Sequence, residues 1–150
     1  MLDVLQWLET TPIATFVTYS DYGFVIAVGV HLLGLGLSAG LIMWVDLRLL
    51  GVVLTAQPAS AVYRQVAPWM LTGFTLMIGS GLALFAAYAT TAYANVWFRL
   101  KVIALLLAAI NAAVYHLWMS RGQARATGIC SLAIWTFVIF AGCMMSYTMF

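Results

Sequence analysis

Residues 22–45 read YGFVIAVGVHLLGLGLSAGLIMWV, a stretch of 24 residues with no formal charge. A helix needs about 20 apolar residues to cross the hydrocarbon core of a bilayer, so this stretch decides the fold class: the chain spans a membrane. Three more stretches of sufficient length follow, at about 69–89, 97–118 and 128–149. None shows the polar and apolar alternation of a barrel strand. The expected fold is all-α, an antiparallel four-helix membrane bundle forming one domain over residues 1–150.

Composition agrees. The hydrophobic share is 65% and the charged share 7%, against roughly half and a quarter in soluble domains. The charged residues, Asp46 among them, fall at the edges of the apolar stretches, where the cost of burying a charge in lipid is avoided. A net charge of +2 without a basic run excludes nucleic acid as a partner. Most tryptophans and several tyrosines collect near the expected interfaces as an aromatic belt. Cys130 and Cys143 make neither a disulfide framework nor a CxxC site and read as small apolar fillers. Paired carboxylates, phosphate loops and Ser/His/Asp sets are missing, so catalysis by the protein alone is not expected.

Orientation follows from the cations. Arg48 and Arg64 flank the first connection and Arg121 and Arg125 the third, against Arg99 and Lys101 at the second. The first and third connections are therefore expected in the cytoplasm and both termini in the periplasm, with the bacterial inner membrane as the location. Before the first span, Val4, Leu5, Trp7 and Leu8 oppose Asp3, Gln6 and Glu9 on a helical wheel, which predicts an interfacial helix. It should end near Thr11, a cap, and Pro12, the start of a new turn. Asp3 and Glu9 stand where a leader would carry cations, so this segment is expected to be retained. The first connection, 46–68, is long and should hold a short amphipathic segment on the cytoplasmic surface.

His31 is the residue that asks for an explanation, since it falls about 15 Å inside the first span. An ionisable residue at that depth is a functional hypothesis by default. One account is a neutral imidazole bonded to a carbonyl of the preceding turn, with the glycines serving helix packing. The other is an axial ligand for a haem iron, or for the magnesium of a chlorin, with Gly34, Leu35 and Ser38 beside it and the small residues leaving room for a flat macrocycle. Gly29, Gly36 and Gly40 form a separate stripe suited to docking another helix. His116, the second histidine, lies near the cytoplasmic end of span three, where the helix dipole also favours it.

His31 precedes Trp44 by 13 residues and His116 precedes Trp118 by two, a difference in depth of about 16 Å. One haem held by both rings is thereby disfavoured, and two levels are expected. Met77 is near the depth of His31 and Met43 near that of His116; a histidine of a second copy, or a five-coordinate iron, would also serve. Arg99 and Lys101 could meet haem propionates on one side and Arg48, Arg64 and Arg121 on the other, or simply anchor the interface. Asn111 is either interhelical glue or a site residue. Cys143, Met144, Met145 and Met149 are soft donors that would suit Cu(I), although methionine also fills gaps.

With His31 in span one, DLRLLG (46–51) after it, FRLK (98–101) opening span three and NAAVYH (111–116) closing it, the chain resembles small four-span bacterial inner-membrane proteins of the b-type cytochrome and copper-resistance kinds. The resemblance implies haem ligation by His31 and His116 and a role as electron carrier. Spans two and four lack the histidines that di-haem cytochromes carry there. The expected function is transfer of electrons by haem b between a quinone or periplasmic redox partner and another membrane component, in a homo-oligomer or a larger complex. The alternative is a cofactor-free interaction subunit or a carrier of a small solute, copper included.

Overall fold

The computed structural model describes residues 2–118 and 124–149. Two short helices, α1 (Leu2–Glu9) and α2 (Pro12–Tyr19), precede the membrane. Thr11 caps α2 by accepting from the Ala14 amide at 3.4 Å, with Pro12 in the first helical position, as the TTP motif predicts. The first crossing is continuous from Gly23 to Leu49. It consists of α3 (Gly23–Leu35), a five-residue π-helical turn (Gly36–Gly40) and α4 (Leu41–Leu49). Ser38, in the π turn, donates its hydroxyl to the Gly34 carbonyl at 2.7 Å, a local bond that competes with the α-helical ladder.

The second crossing, α5 (Ala59–Ala87), begins ten residues before the expected start and runs straight through Pro68. Its 29 residues span about 43 Å, more than the roughly 30 Å core of a bilayer. The part carrying Tyr63 and Arg64 therefore extends the helix beyond the lipid. Residues expected to form a surface segment are the first turns of this span, and the true connection shrinks to residues 50–58. Arg48 holds that loop, donating to the Gln57 and Thr55 carbonyls at 2.6 and 3.2 Å. A short α6 (Ala89–Ala94) then leads into α7 (Val96–Trp118), followed by α8 (Ala124–Met149). Asn95 caps α7, its Oδ1 accepting from the Trp97 and Phe98 amides.

Four helices are long and apolar enough to cross a membrane, and the chain is a multi-pass membrane protein built as a helical bundle. Val25, Leu32 and Leu33 on α3 and Leu106 and Ile110 on α7 are exposed on the outside, where lipid meets them. Inside, α3 packs on α5, α7 on α8, and α4 on α8. The core where these pairs join is made of small residues around two larger ones: Ala39, Ala104, Ala108, Trp135 and Val138. Helices α5 and α7 meet at the end bearing both termini, where the Phe85 and Phe98 rings stack at 5.2 Å. At the far end Arg125 donates to the Leu50 carbonyl at 3.3 Å and ties α8 to α4.

α1 and α6 pack together at the terminal end. Leu5 is buried there, while Val4 and Trp7 stay exposed for the interface. The Glu9 carboxylate accepts from the Thr90 amide at 2.8 Å and the Thr90 hydroxyl at 2.6 Å, and so caps the start of α6. Glu9→Ala is expected to cost roughly 1–2 kcal/mol at this half-exposed position. The loss should be local: amide exchange in α1 should quicken about tenfold, with the spans unchanged. Equal exchange in both proteins would show that apolar contact alone holds α1.

Candidate functional site

Two polar levels lie inside the bundle. The first is built on His31, which α3 presents on the side that buries Ala27 and Gly34 against α5. Nδ1 of His31 lies 3.0 Å from the Met77 carbonyl oxygen and 3.1 Å from Ser80 Oγ, both on α5. A carbonyl can only accept, so Nδ1 carries a proton, and in the neutral ring Nε2 keeps its lone pair. Ser80 directs its own hydroxyl to the Leu76 carbonyl at 2.6 Å, leaving its oxygen as a second acceptor for the ring. Gly81 provides the flat patch under the imidazole, for a Cβ there would stand 3.1 Å from Cε1. The carbonyl that holds His31 thus belongs to a neighbouring helix and not to the preceding turn.

Lys101 is carried by α7 and is half-buried. Its Nζ points at α8, 3.4 Å from where a Cβ of Gly142 would be. Arg99, two residues earlier, turns outward: it donates to the Ala94 carbonyl at 3.1 Å and its guanidinium sits 5.9 Å above the Tyr93 ring. Of the two expected propionate partners, Lys101 turns inward toward α8 and Arg99 turns outward.

The other expected site residues separate. Gly34 leaves no room for a macrocycle, because α5 fills its space: a Cβ there would be 2.5 Å from the Met77 nitrogen and 2.8 Å from the Gly73 oxygen. A Cβ at Gly29, Gly36 or Gly40 would meet no neighbouring element within 4 Å, and the three form an exposed stripe on the outside of the bundle. Met77 is at the depth of His31 but engages it through its carbonyl, while its sulfur lies 3.6 Å from Ser38 Oγ. Met43 packs against the small-residue core. Cys143 is exposed and Met144, Met145 and Met149 are half-buried near the end of α8. No group of three or more His, Cys, Asp or Glu converges among the described residues. The His116 backbone belongs to α7, one turn beyond Ala112; its side chain, like all of Arg121, lies outside the described residues.

The second level centres on a residue that the charge pattern assigned to the edge of a span. Asp46, placed by its charge at the edge of span one, is only 5% exposed. It lines a cavity of about 400 Å³ bounded by α4, α5, α7 and α8. Ser131 hydrogen-bonds the carboxylate, and Oδ2 is buried with no partner. No cation pairs with it among the described residues. Tyr63, Asn111, Tyr115 and Thr127 complete the polar end, and Phe74, Met77, Leu105 and Trp135 form the apolar end toward mid-membrane. Asn111 donates to the Thr127 carbonyl at 3.2 Å, so the glue expected of it is present in the cavity wall. Register gave one usable signal: Asp46 lies four residues after Ile42 and seven after Ala39, on the face that packs inward.

One family model matches, over residues 4–148, and it describes a family of unknown function, DUF6644. No curated protein and no solved structure matches the chain.

Proposed function

We propose a function for this chain, which belongs to the DUF6644 family of unknown function: it carries electrons in the membrane on a haem b held by His31. The observation that carries this reading is the pair of acceptors placed at Nδ1 of the ring. Axial histidines donate one ring N–H to a carbonyl or carboxylate and offer the other nitrogen to the metal, and His31 has that arrangement through Met77 and Ser80. Bound haem b would supply a one-electron couple. The chain's own part would be to orient the imidazole, make it a stronger donor through the Met77 carbonyl and limit access of water, with Lys101 of α7 the inward-turned cation that could pair with a propionate. With the Met77 sulfur turned to Ser38, His31 is the one described ligand, so the proposal is for a haem held by a single imidazole of this chain.

In this reading electrons pass between a quinone or a periplasmic redox partner and another membrane component. The chain would sit in a bacterial inner membrane with both termini in the periplasm, as the arginine distribution favours. The open stripe of Gly29, Gly36 and Gly40 supports close approach of a second copy or another subunit. The cavity beside Asp46 favours a second reading, in which the protein binds or carries a small molecule and His31 is a packing residue.

A reduced-minus-oxidised absorbance spectrum of protein purified from haem-replete cells separates the two. The expected result is a haem b spectrum that falls at least tenfold in His31→Ala and survives in Arg99→Ala. A colourless wild-type protein would refute the haem reading and leave the second.

A further inference from the structure

We infer that the cavity at Asp46 is a binding site for a lipid-soluble molecule whose polar head donates a hydrogen bond, an alkylated benzoquinol in particular. The inference concerns the Asp46 end of the bundle, whose cavity meets the His31 level through Met77, and it does not rest on a haem being bound at His31.

Four observations lead to it. Asp46 is buried within the bundle, and its Oδ2 is an acceptor with nothing donating to it. A carboxylate oxygen left bare in a low-dielectric interior is costly, and a donor on a bound molecule would remove that cost. The cavity, about 400 Å³, falls in the range of roughly 300–1,000 Å³ common for small-molecule sites. Its walls grade from polar, around Asp46 and Ser131, to apolar, at Phe74, Leu105 and Trp135. That gradient matches an amphiphile with a hydroxylated ring at one end and a hydrocarbon substituent at the other.

The entrance fixes the source of the molecule. Beyond the Phe85–Phe98 stack, the cavity is lined by exposed residues on both facing helices: Ile78 of α5, 55% exposed, and Ala109 and Ala112 of α7. The opening between α5 and α7 therefore lies among the lipid-facing residues of the spans. A ligand that enters there comes from the bilayer.

A donor requirement also makes the site selective. A site built to receive a hydroxyl rejects an analogue that lacks it, because the buried acceptor is then left unpaired. A quinol donates through its hydroxyls, whereas the corresponding quinone presents only carbonyl acceptors to a carboxylate that is itself an acceptor. The reduced form is accordingly the preferred occupant.

The test uses the full chain in nanodiscs and two probes, decyl-benzoquinol under anaerobic reducing conditions and decyl-benzoquinone. The wild type should bind the quinol at least tenfold more tightly than the quinone. Asp46→Asn and Asp46→Leu should erase that preference by weakening quinol binding about tenfold, with thermal midpoints no lower than that of the wild type. Ala112→Trp, which narrows the entrance, should weaken both probes, and Arg99→Ala, at an outward-turned residue away from the cavity wall, should change neither. Equal binding of the two probes by the wild type would overturn the inference. So would undiminished quinol preference in Asp46→Leu, or a cavity that retains phospholipid acyl chains and admits neither probe.

Discussion

Gly34→Ala is expected to destabilise the folded protein by about 3 kcal/mol or more, enough to remove most of it from a detergent extract, whereas Gly29→Ala, five residues away, should be neutral or slightly stabilising. The difference is one of contact and not of helix propensity. A Cβ at Gly34 would meet the Met77 nitrogen at 2.5 Å and the Gly73 oxygen at 2.8 Å, both main-chain atoms that cannot swing aside. Gly73 returns the contact: a Cβ there would meet the Ser38 nitrogen at 2.5 Å and the Leu37 carbonyl carbon at 2.7 Å. The two glycines let α3 and α5 cross backbone to backbone, which is how helices gain dispersion energy where lipid removes the hydrophobic drive to associate. Separating them would also pull the Met77 carbonyl and Ser80 away from His31. At Gly29 there is nothing within 4 Å, so a methyl group meets only lipid and removes a conformational cost of roughly 0.5–1 kcal/mol. Reversible unfolding in mixed micelles would measure both variants. A Gly34→Ala protein as stable as the wild type would mean that the crossing has slack the contacts do not show.

That pair of glycines also marks where the sequence stops being informative. The four crossings were legible because length and apolarity alone select them, and Thr11–Pro12 was legible because capping chemistry is local. Which face of a span points inward was not, since lipid and protein interior are equally apolar and the period that betrays a soluble helix is weak. Gly34, read as leaving open space, makes the closest helix contact inside the bundle, while the stripe of Gly29, Gly36 and Gly40, read as a docking face, is open. The start of span two reads too late because polar residues such as Arg64 and Gln65 precede it; α5 nonetheless continues through them and through Pro68, where the Thr72 hydroxyl bonds to the Pro68 carbonyl at 3.0 Å. The depth of His31 was read from residue counting. Its partners, 46 and 49 residues away, depend on the α3–α5 crossing and could not be. Asp46 was hidden by a rule that is right on average: charges near span ends snorkel or face water. The short aspartate side chain cannot reach out from an inward register, and its carboxylate stays in the bundle.

Asp46→Leu is expected to stabilise the protein, by about 1–3 kcal/mol, which is the reverse of what removal of a buried polar residue usually does. The sign follows from what surrounds the carboxylate. Oδ2 is buried without a partner and no cation compensates the group among the described residues, so the folded state bears a desolvation cost that the Ser131 bond offsets in part. A leucine occupies similar space, adds apolar contact toward Ile42 and Val45 in the wall of the same cavity, and removes that cost. Ser131 loses a partner, but on α8 its hydroxyl can turn to the Thr127 carbonyl four residues back. Asp46→Asn should gain less, about 1 kcal/mol, because an amide still needs partners. Thermal unfolding without added ligand would read these shifts, and adding quinol should narrow the gap by stabilising the wild type alone. Destabilisation beyond about 1 kcal/mol in the leucine variant would instead mean that the carboxylate holds the far end of the bundle together. A rise in stability accompanied by loss of quinol preference would identify Asp46 as a residue held under strain for binding, in the way functional groups commonly trade stability for a ligand.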